Sequence, residues 1–163
     1  MLKKISNILI TLGILSFIII NIHKYNQIYK NEIIVNKIEL KEEVSNYYIG
    51  YIIIKKLNIK IPLVYGTSEK ELNQNIVGVS KYSNSKHLIL AGHAIESVFL
   101  PLYKIKEQTE IDVLLNGNYY KYIVDSIYIV EETDLNVYNN NGLTLITCIN
   151  KRQRLIVHAK TAN

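Results

Sequence analysis

Residues 141–160 read NGLTLITCINKRQRLIVHAK, and the parsing of this stretch sets the parsing of the chain. Asn141-Gly142 is a turn signal. The run LTLITC after it is β-branched and aliphatic, the next residues are polar, and RLIVHAK is again a strand-like run. Two strands joined by so short a loop form an antiparallel pair, and Cys148 closes the first of them. Alternation puts Leu143, Leu145 and Thr147 on one face and Thr144, Ile146 and Cys148 on the other. Neither face is plainly the core. If the chain turns back through residues 149–153, Arg154 falls opposite Cys148, where directly opposed Cβ atoms are about 4.5–5.5 Å apart. A guanidinium there can stabilise a thiolate, or the oxyanion formed when that sulfur attacks a carbonyl. Arg152 has the same parity, but its place in the loop suits a solvated charge.

Outward from this pair the same texture continues. GYIIIKKLNIKIPLVYG (residues 50–66) is rich in β-branched and aromatic residues and is punctuated by Pro62 and Gly66. Ser68–Asn73 has an N-cap residue and an acidic first turn, which predicts one short helix. Gly78–Tyr82, His87–Ala91 and Ile111–Leu115 predict strands. Asn116-Gly117 is a strong two-residue hairpin signal between IDVLL and NYYKYIVDSIYIV. Seven or eight strands in about 115 residues, with little helix, indicate an all-β closed barrel or a sandwich.

The N-terminus is different. Residues 1–22, MLKKISNILITLGILSFIIINI, carry no charge between Lys4 and His23, and Ile5–Ile22 is about long enough to cross a hydrocarbon core of roughly 30 Å. No small-x-small cleavage site follows. With Lys3 and Lys4 ahead of the span, the positive-inside rule predicts a single-pass signal-anchor with a cytoplasmic N-terminus and the remaining chain outside the cell. Residues 23–46 are polar, with Ile28, Ile33, Ile34, Ile38 and Val44 at roughly helical intervals, and predict a partly helical juxtamembrane stalk. The domain proper is then residues 47–163.

The net charge of +5 comes with scattered lysines and no basic cluster with interleaved aromatics, which argues against a nucleic-acid partner. The chain has a single cysteine, so no intrachain disulfide forms. Outside the cell a lone thiol is a liability unless it is buried or reactive. An unperturbed cysteine is only a few per cent thiolate at neutral pH, so a reactive one needs a proton-transfer partner. Of the histidines, His23 lies at the membrane edge and His87 begins a strand as a half-exposed residue. His158 shares a strand and a face with Arg154 and competes for the role. His93 lies in Leu90-Ala91-Gly92-His93-Ala94, where a strand runs into a loop and glycine allows close backbone approach.

Together these residues resemble the sortases. Thr144-Leu145-Ile146-Thr147-Cys148 matches that family's T-L-x-T-C motif, Arg154-Leu155-Ile156-Val157 matches the arginine-led strand after it, and Ala91-Gly92-His93 matches the upstream G-H element. The resemblance spans roughly residues 50–160. It implies a closed eight-stranded sortase-type β-barrel with short helices behind an N-terminal transmembrane helix. It also implies a cysteine transpeptidase anchored in the membrane of a Gram-positive cell. Cys148 would be the nucleophile, His93 the acid/base and Arg154 the oxyanion stabiliser, with Thr147 shaping the substrate groove. The implied substrate is an LPXTG-like sorting signal on a surface protein, cut between Thr and Gly and passed to an amine of a cell-wall precursor or of a pilin lysine. Only about a dozen residues separate the strand ending at Val130 from Leu143, too few for a class B helical insertion, and the chain shows no C-terminal transmembrane segment and no room for the lid usual in class C; a class D-like or class A-like enzyme is expected. No cofactor is implied. Calcium stimulation, seen in some relatives, has no support of its own here, because Glu107, Glu110, Asp112, Glu131 and Glu132 fit solvated turns equally well.

Two other readings compete. A peptidoglycan L,D-transpeptidase would carry serine-x-glycine just before its cysteine, where this chain has Leu145-Ile146-Thr147. A membrane-tethered barrel that only binds envelope components would leave Cys148 structural, and accessibility of the thiol separates it from the enzyme.

Overall fold

The computed structural model describes residues 2–40, 46–138 and 141–162. Val44, expected in the stalk, lies outside the described residues.

Eight strands close into one barrel in the order β1-β2-β3-β4-β7-β8-β6-β5. They are β1 (Gly50–Ile54), β2 (Ile59–Tyr65), β3 (Val77–Val79), β4 (His87–Ala91), β5 (Glu110–Leu115), β6 (Asn118–Glu131), β7 (Gly142–Cys148) and β8 (Gln153–Thr161). Closure leaves no sheet edge to template aggregation. The β2–β3 and β4–β7 pairs are parallel, and the others are antiparallel. Of barrel and sandwich, the barrel is the arrangement found.

Local chemistry explains most boundaries. Asn116 and Gly117 both have positive φ, 49° and 80°, as the hairpin between β5 and β6 requires. Ser68 caps the short helix α2 (Glu69–Leu72) in a capping box with Glu71. Pro62, which the sequence suggested as punctuation, sits inside β2 opposite Tyr51. It is tolerated because β2 gains its second neighbour, β3, only from Leu63 onwards. The strand expected over Gly78–Tyr82 is shorter and earlier, Val77–Val79, because the chain turns at Ser80, whose hydroxyl accepts a bond from the Tyr82 amide at 3.3 Å.

The open question of which face of 143–148 is the core is resolved by burial. Leu143 and Leu145 are fully buried with Ile52, Ile61, Leu63, Leu90, Phe99, Ile111, Val113 and Val157. Thr147 follows them inward, whereas Cys148 ends the strand exposed. His87 departs from expectation: it is buried, with Nε2 2.7 Å from the Thr144 hydroxyl across the β4–β7 pair.

Helix α1 runs unbroken from Leu2 to Glu39. Its N-terminal half is long and apolar enough to cross a membrane. The segment expected as a stalk continues the same helix and lies against β2. Val35 is fully buried there, Asn31 Nδ2 donates to the Asn75 carbonyl at 3.1 Å, and Lys60 Nζ reaches Asn36 Oδ1 at 2.6 Å and Glu39 Oε2 at 3.2 Å.

Replacing Leu145 with alanine deletes fully buried core volume and is expected to cost about 2–5 kcal/mol in urea denaturation; a loss no larger than that of a surface substitution would place the core elsewhere. A second test uses Asp125, at the bulge of β6 between Val124 and Ser126. Partial burial pushes its carboxyl up, but bonds from Lys160 and His158 outweigh that and hold it below the usual aspartate range. Its folded pKa therefore lies below the unfolded value of about 3.9, so the stability it contributes is complete above that value and is lost as pH falls through the folded one. Asp125→Asn should lower the denaturation midpoint at neutral pH and weaken the decline of stability in acid. Identical midpoints and acid profiles for the two proteins would show that Asp125 contributes nothing to stability.

Candidate active site

The β7–β8 hairpin is built by one side chain. Asn150 Oδ1 accepts the amides of Arg152 at 2.8 Å and Gln153 at 2.9 Å, and its Nδ2 donates to Gln153 Oε1 at 2.9 Å. With Ile149 N–H donating to the Gln153 carbonyl at 2.9 Å, the turn fixes the register so that Cys148 is paired directly with Arg154. Arg152 stays exposed in the turn, away from that pairing.

On the other side of β7, parallel pairing with β4 matches Ala91 to Ile146. Gly92 N–H extends the pairing past the strand end by donating to the Ile146 carbonyl at 3.1 Å. β4 ends at Ala91, two residues before His93, and Ile146 lies two residues before Cys148, so His93 and Cys148 follow equivalent points of neighbouring parallel strands that are about 4.7–4.9 Å apart. Cys148 is thus paired with Arg154 on the β8 side, and the chain leaving β4 towards His93 lies at the same end of the barrel.

The loop carrying His93 is clamped from several directions. Thr147 is buried and its hydroxyl donates to the Gly92 carbonyl at 2.9 Å. Phe99 N–H donates to the His93 carbonyl at 3.1 Å. A Cβ at Gly92 would lie 2.8 Å from Val98 Cγ1 and 2.9 Å from Phe99 Cδ2. The close approach that glycine permits is thus to the protein's own core rather than to a ligand. Tyr103, in the 3-10 turn Leu100–Lys104, donates its hydroxyl to the Cys148 carbonyl at 2.7 Å and ties the same loop to the thiol-bearing strand.

The reactive atoms themselves are less constrained. His93 Nε2 is buried and makes no hydrogen bond, so the imidazole is not bonded to the sulfur in this state. An unpaired buried donor or acceptor costs about 1–3 kcal/mol. Arg154 is held by three bonds. Nη2 donates to Glu132 Oε2 at 2.8 Å, and Nη1 donates to the carbonyls of Asn150 at 3.1 Å and Gln153 at 3.2 Å. Three of its five N–H donors are used, which leaves two for a substrate oxygen.

The competing histidine is placed elsewhere. His158 pairs with Thr144, four residues up β7 from Cys148, or about 13 Å along the strand. Its Nδ1 lies 2.7 Å from Asp125 Oδ1 and its Nε2 2.7 Å from the Asn141 carbonyl. Two residues of the site carried no signal in the sequence: Glu132 resembled any solvated turn acid, and Tyr103 is one of 13 tyrosines. Among the described residues, no group of three or more His, Cys, Asp or Glu side chains is arranged to hold a metal ion.

Thr147→Val keeps the shape and removes the donor, leaving the Gly92 carbonyl unpaired. The expected cost is about 1–3 kcal/mol in denaturant unfolding. Unchanged stability would mean that the clamp contributes nothing.

Comparison with known proteins gives one consistent picture. A family model described as the sortase domain matches residues 52–162. Sortase C1 from Streptococcus agalactiae is 34% identical, with a TM-score of 0.62 over 74% of this chain and 70% of that one. Sortase C from Streptococcus pneumoniae is 26% identical, with a TM-score of 0.66 over 74% of this chain and 71% of that one. Sortase A from Listeria monocytogenes shares the fold, with a TM-score of 0.67 at 22% identity over 72% of this chain and 89% of that one. No curated protein sequence matches.

Proposed function

The chain belongs to the sortase family, and we propose that it is a cysteine transpeptidase that cuts an LPXTG-like sorting signal between Thr and Gly. The observation that supports this reading is the register that pairs the one cysteine with Arg154 and pairs Ala91, two residues before His93, with Ile146, two residues before Cys148.

In the first step the Cys148 thiol passes its proton to His93 and the sulfur attacks the threonine carbonyl carbon. A C–S bond forms, and the carbonyl oxygen becomes an oxyanion that the free N–H donors of Arg154 stabilise. Collapse of this intermediate breaks the C–N bond. His93 gives its proton to the departing glycine amine, leaving a thioester on Cys148. In the second step an amine of a cell-wall precursor, or of a pilin lysine, attacks the thioester carbonyl. His93 takes the proton of the incoming amine, the C–S bond breaks, and a new amide joins the substrate protein to its acceptor. Thr147 acts by fixing the His93 loop to β7. The pilin alternative draws on the S. pneumoniae neighbour, a sortase described in terms of pilin substrate specificity. Helix α1 fits a single-pass membrane anchor, and the same reading puts its N-terminus in the cytoplasm and the barrel outside the cell.

The test is turnover of quenched LPXTG-type peptides with and without an added amine. Cys148→Ala should abolish both cleavage and amine transfer while leaving the melting transition intact, and His93→Ala should do nearly the same. Arg154→Ala should lower kcat by about 10²–10³. Retained turnover in Cys148→Ala would overturn the assignment. Glu132→Gln removes the anionic partner of Arg154 and should lower kcat more than it changes KM. In an Arg154→Ala background it should add nothing, whereas a full additional loss would show that Glu132 acts by another route.

A further inference from the structure

Helix α1 does more than tether the barrel, because its course links the end of the membrane span to the catalytic loop. The apolar run ends at Ile22, and two residues later Lys24 Nζ lies 3.2 Å from Glu96 Oε2. Glu96 is three residues beyond His93. An exposed ion pair of this kind contributes little and could not orient a barrel alone. The orientation is set by the rest of the contact: the helix is unbroken to Glu39, its own Val35 is fully buried, Asn31 donates to the Asn75 carbonyl just before β3, and Asn36 accepts from Lys60 of β2. Ion pair and packed helix together fix which end of the barrel lies near the bilayer.

The opposite end is equally well marked. Glu39 lies fifteen residues beyond Lys24, about 22 Å farther along the helix. There Ile38 and Glu39 share a cleft with Leu114, Asn116 and Gly117 of the β5–β6 hairpin. Asn116 Nδ2 in turn donates to the Tyr65 hydroxyl at 2.7 Å. The barrel therefore stands with residues 93–96 toward the membrane and the 116–117 hairpin away from it. The lower end has the side chains of an interfacial surface: Tyr25 and Tyr29 are exposed in the first turns past the span, and Ile95 is exposed beside Glu96. Tyrosine is favoured where water meets hydrocarbon.

We propose that the segment His93–Glu96 rests on the bilayer surface at the C-terminal end of the span, so that the mouth holding Cys148 opens at headgroup level. The partner is the lipid surface itself. This goes beyond the transpeptidase reading and rests on that reading only in calling the mouth catalytic; it rests on α1 as a membrane span for its geometry. Cys148 would then meet carbonyls and amines held close to the membrane, not ones presented tens of ångströms out.

The chain has no tryptophan, so a single introduced one reports its own surroundings. Full-length Ile95→Trp and Tyr65→Trp are each reconstituted into vesicles of phosphatidylcholine and phosphatidylglycerol, with part of the lipid brominated high in the acyl chain. The tryptophan at position 95 should be quenched severalfold more than that at position 65. Equal quenching, or stronger quenching at position 65, overturns the proposal. In the unsubstituted chain, broadening of Ile95 methyl resonances by spin-labelled lipid, compared with Leu115 methyls at the far end, answers the same question should a variant fail to fold. Peptide turnover by the same vesicles is followed in parallel. Active vesicles with equal quenching would sink the docking and leave the chemistry standing, and selective quenching without turnover would do the reverse.

Discussion

The site depends on the register of three neighbouring strands, because a strand shifted by one residue turns every side chain to the other face. β7 is central to it. Its parallel pairing to β4 brings the end of that strand, two residues before His93, alongside Ile146, and its antiparallel pairing to β8 sets Arg154 opposite Cys148. Inward-pointing Leu143, Leu145 and Thr147 hold that register, since a slip would put the leucines in solvent and the end of the strand in the core. The same burial that stabilises the barrel thus aims the thiol outward. The Asn150 turn then admits no extra residue between the two strands.

Around this frame the backbone is held tightly and the reacting groups loosely. Thr147 and Tyr103 each bind a backbone carbonyl, one beside His93 and one at Cys148 itself. The His93 nitrogen, by contrast, is unpaired, and Arg154 is engaged by a partly exposed carboxylate. Its two remaining donors are available to an oxyanion without breaking that contact, so Glu132 reads as a support for the guanidinium. Positions are fixed by the fold, while the His93 nitrogen and two of the five Arg154 donors are left over for the substrate that the transpeptidase reading proposes.

Much of this was legible in the sequence, for physical reasons. Asn116-Gly117 announces its hairpin because few other pairs adopt two positive φ values, and Cys148 and Arg154 could be matched by counting across a short loop. The choice of inward face could not, since each side of β7 carries aliphatic residues and a threonine, Leu143, Leu145 and Thr147 on one and Thr144 and Ile146 on the other, and closure of the barrel decided it. The burial of His87 was hidden because its partner, Thr144, is distant in sequence. Glu132 reaches Arg154 only because β6 runs beside β8, a neighbour relation that no local pattern encodes. Residues 23–39 look like a spacer in composition, and their packing on β2 depends on Val35 and two asparagines that carry little signal in sequence.

The claim beneath all of this is that the lone sulfur has residue 93 as its immediate lateral neighbour across two parallel strands. The substitution His93→Cys turns that claim into a bond, because neighbouring strands are separated by a distance within the Cα range of a disulfide, about 4.4–6.8 Å. Mild oxidation of the folded variant, read by intact mass and by loss of free thiol, should close a disulfide between the introduced thiol and Cys148 within single molecules. If both thiols remain free, or link only between molecules, the two side chains do not meet and the site as described is wrong.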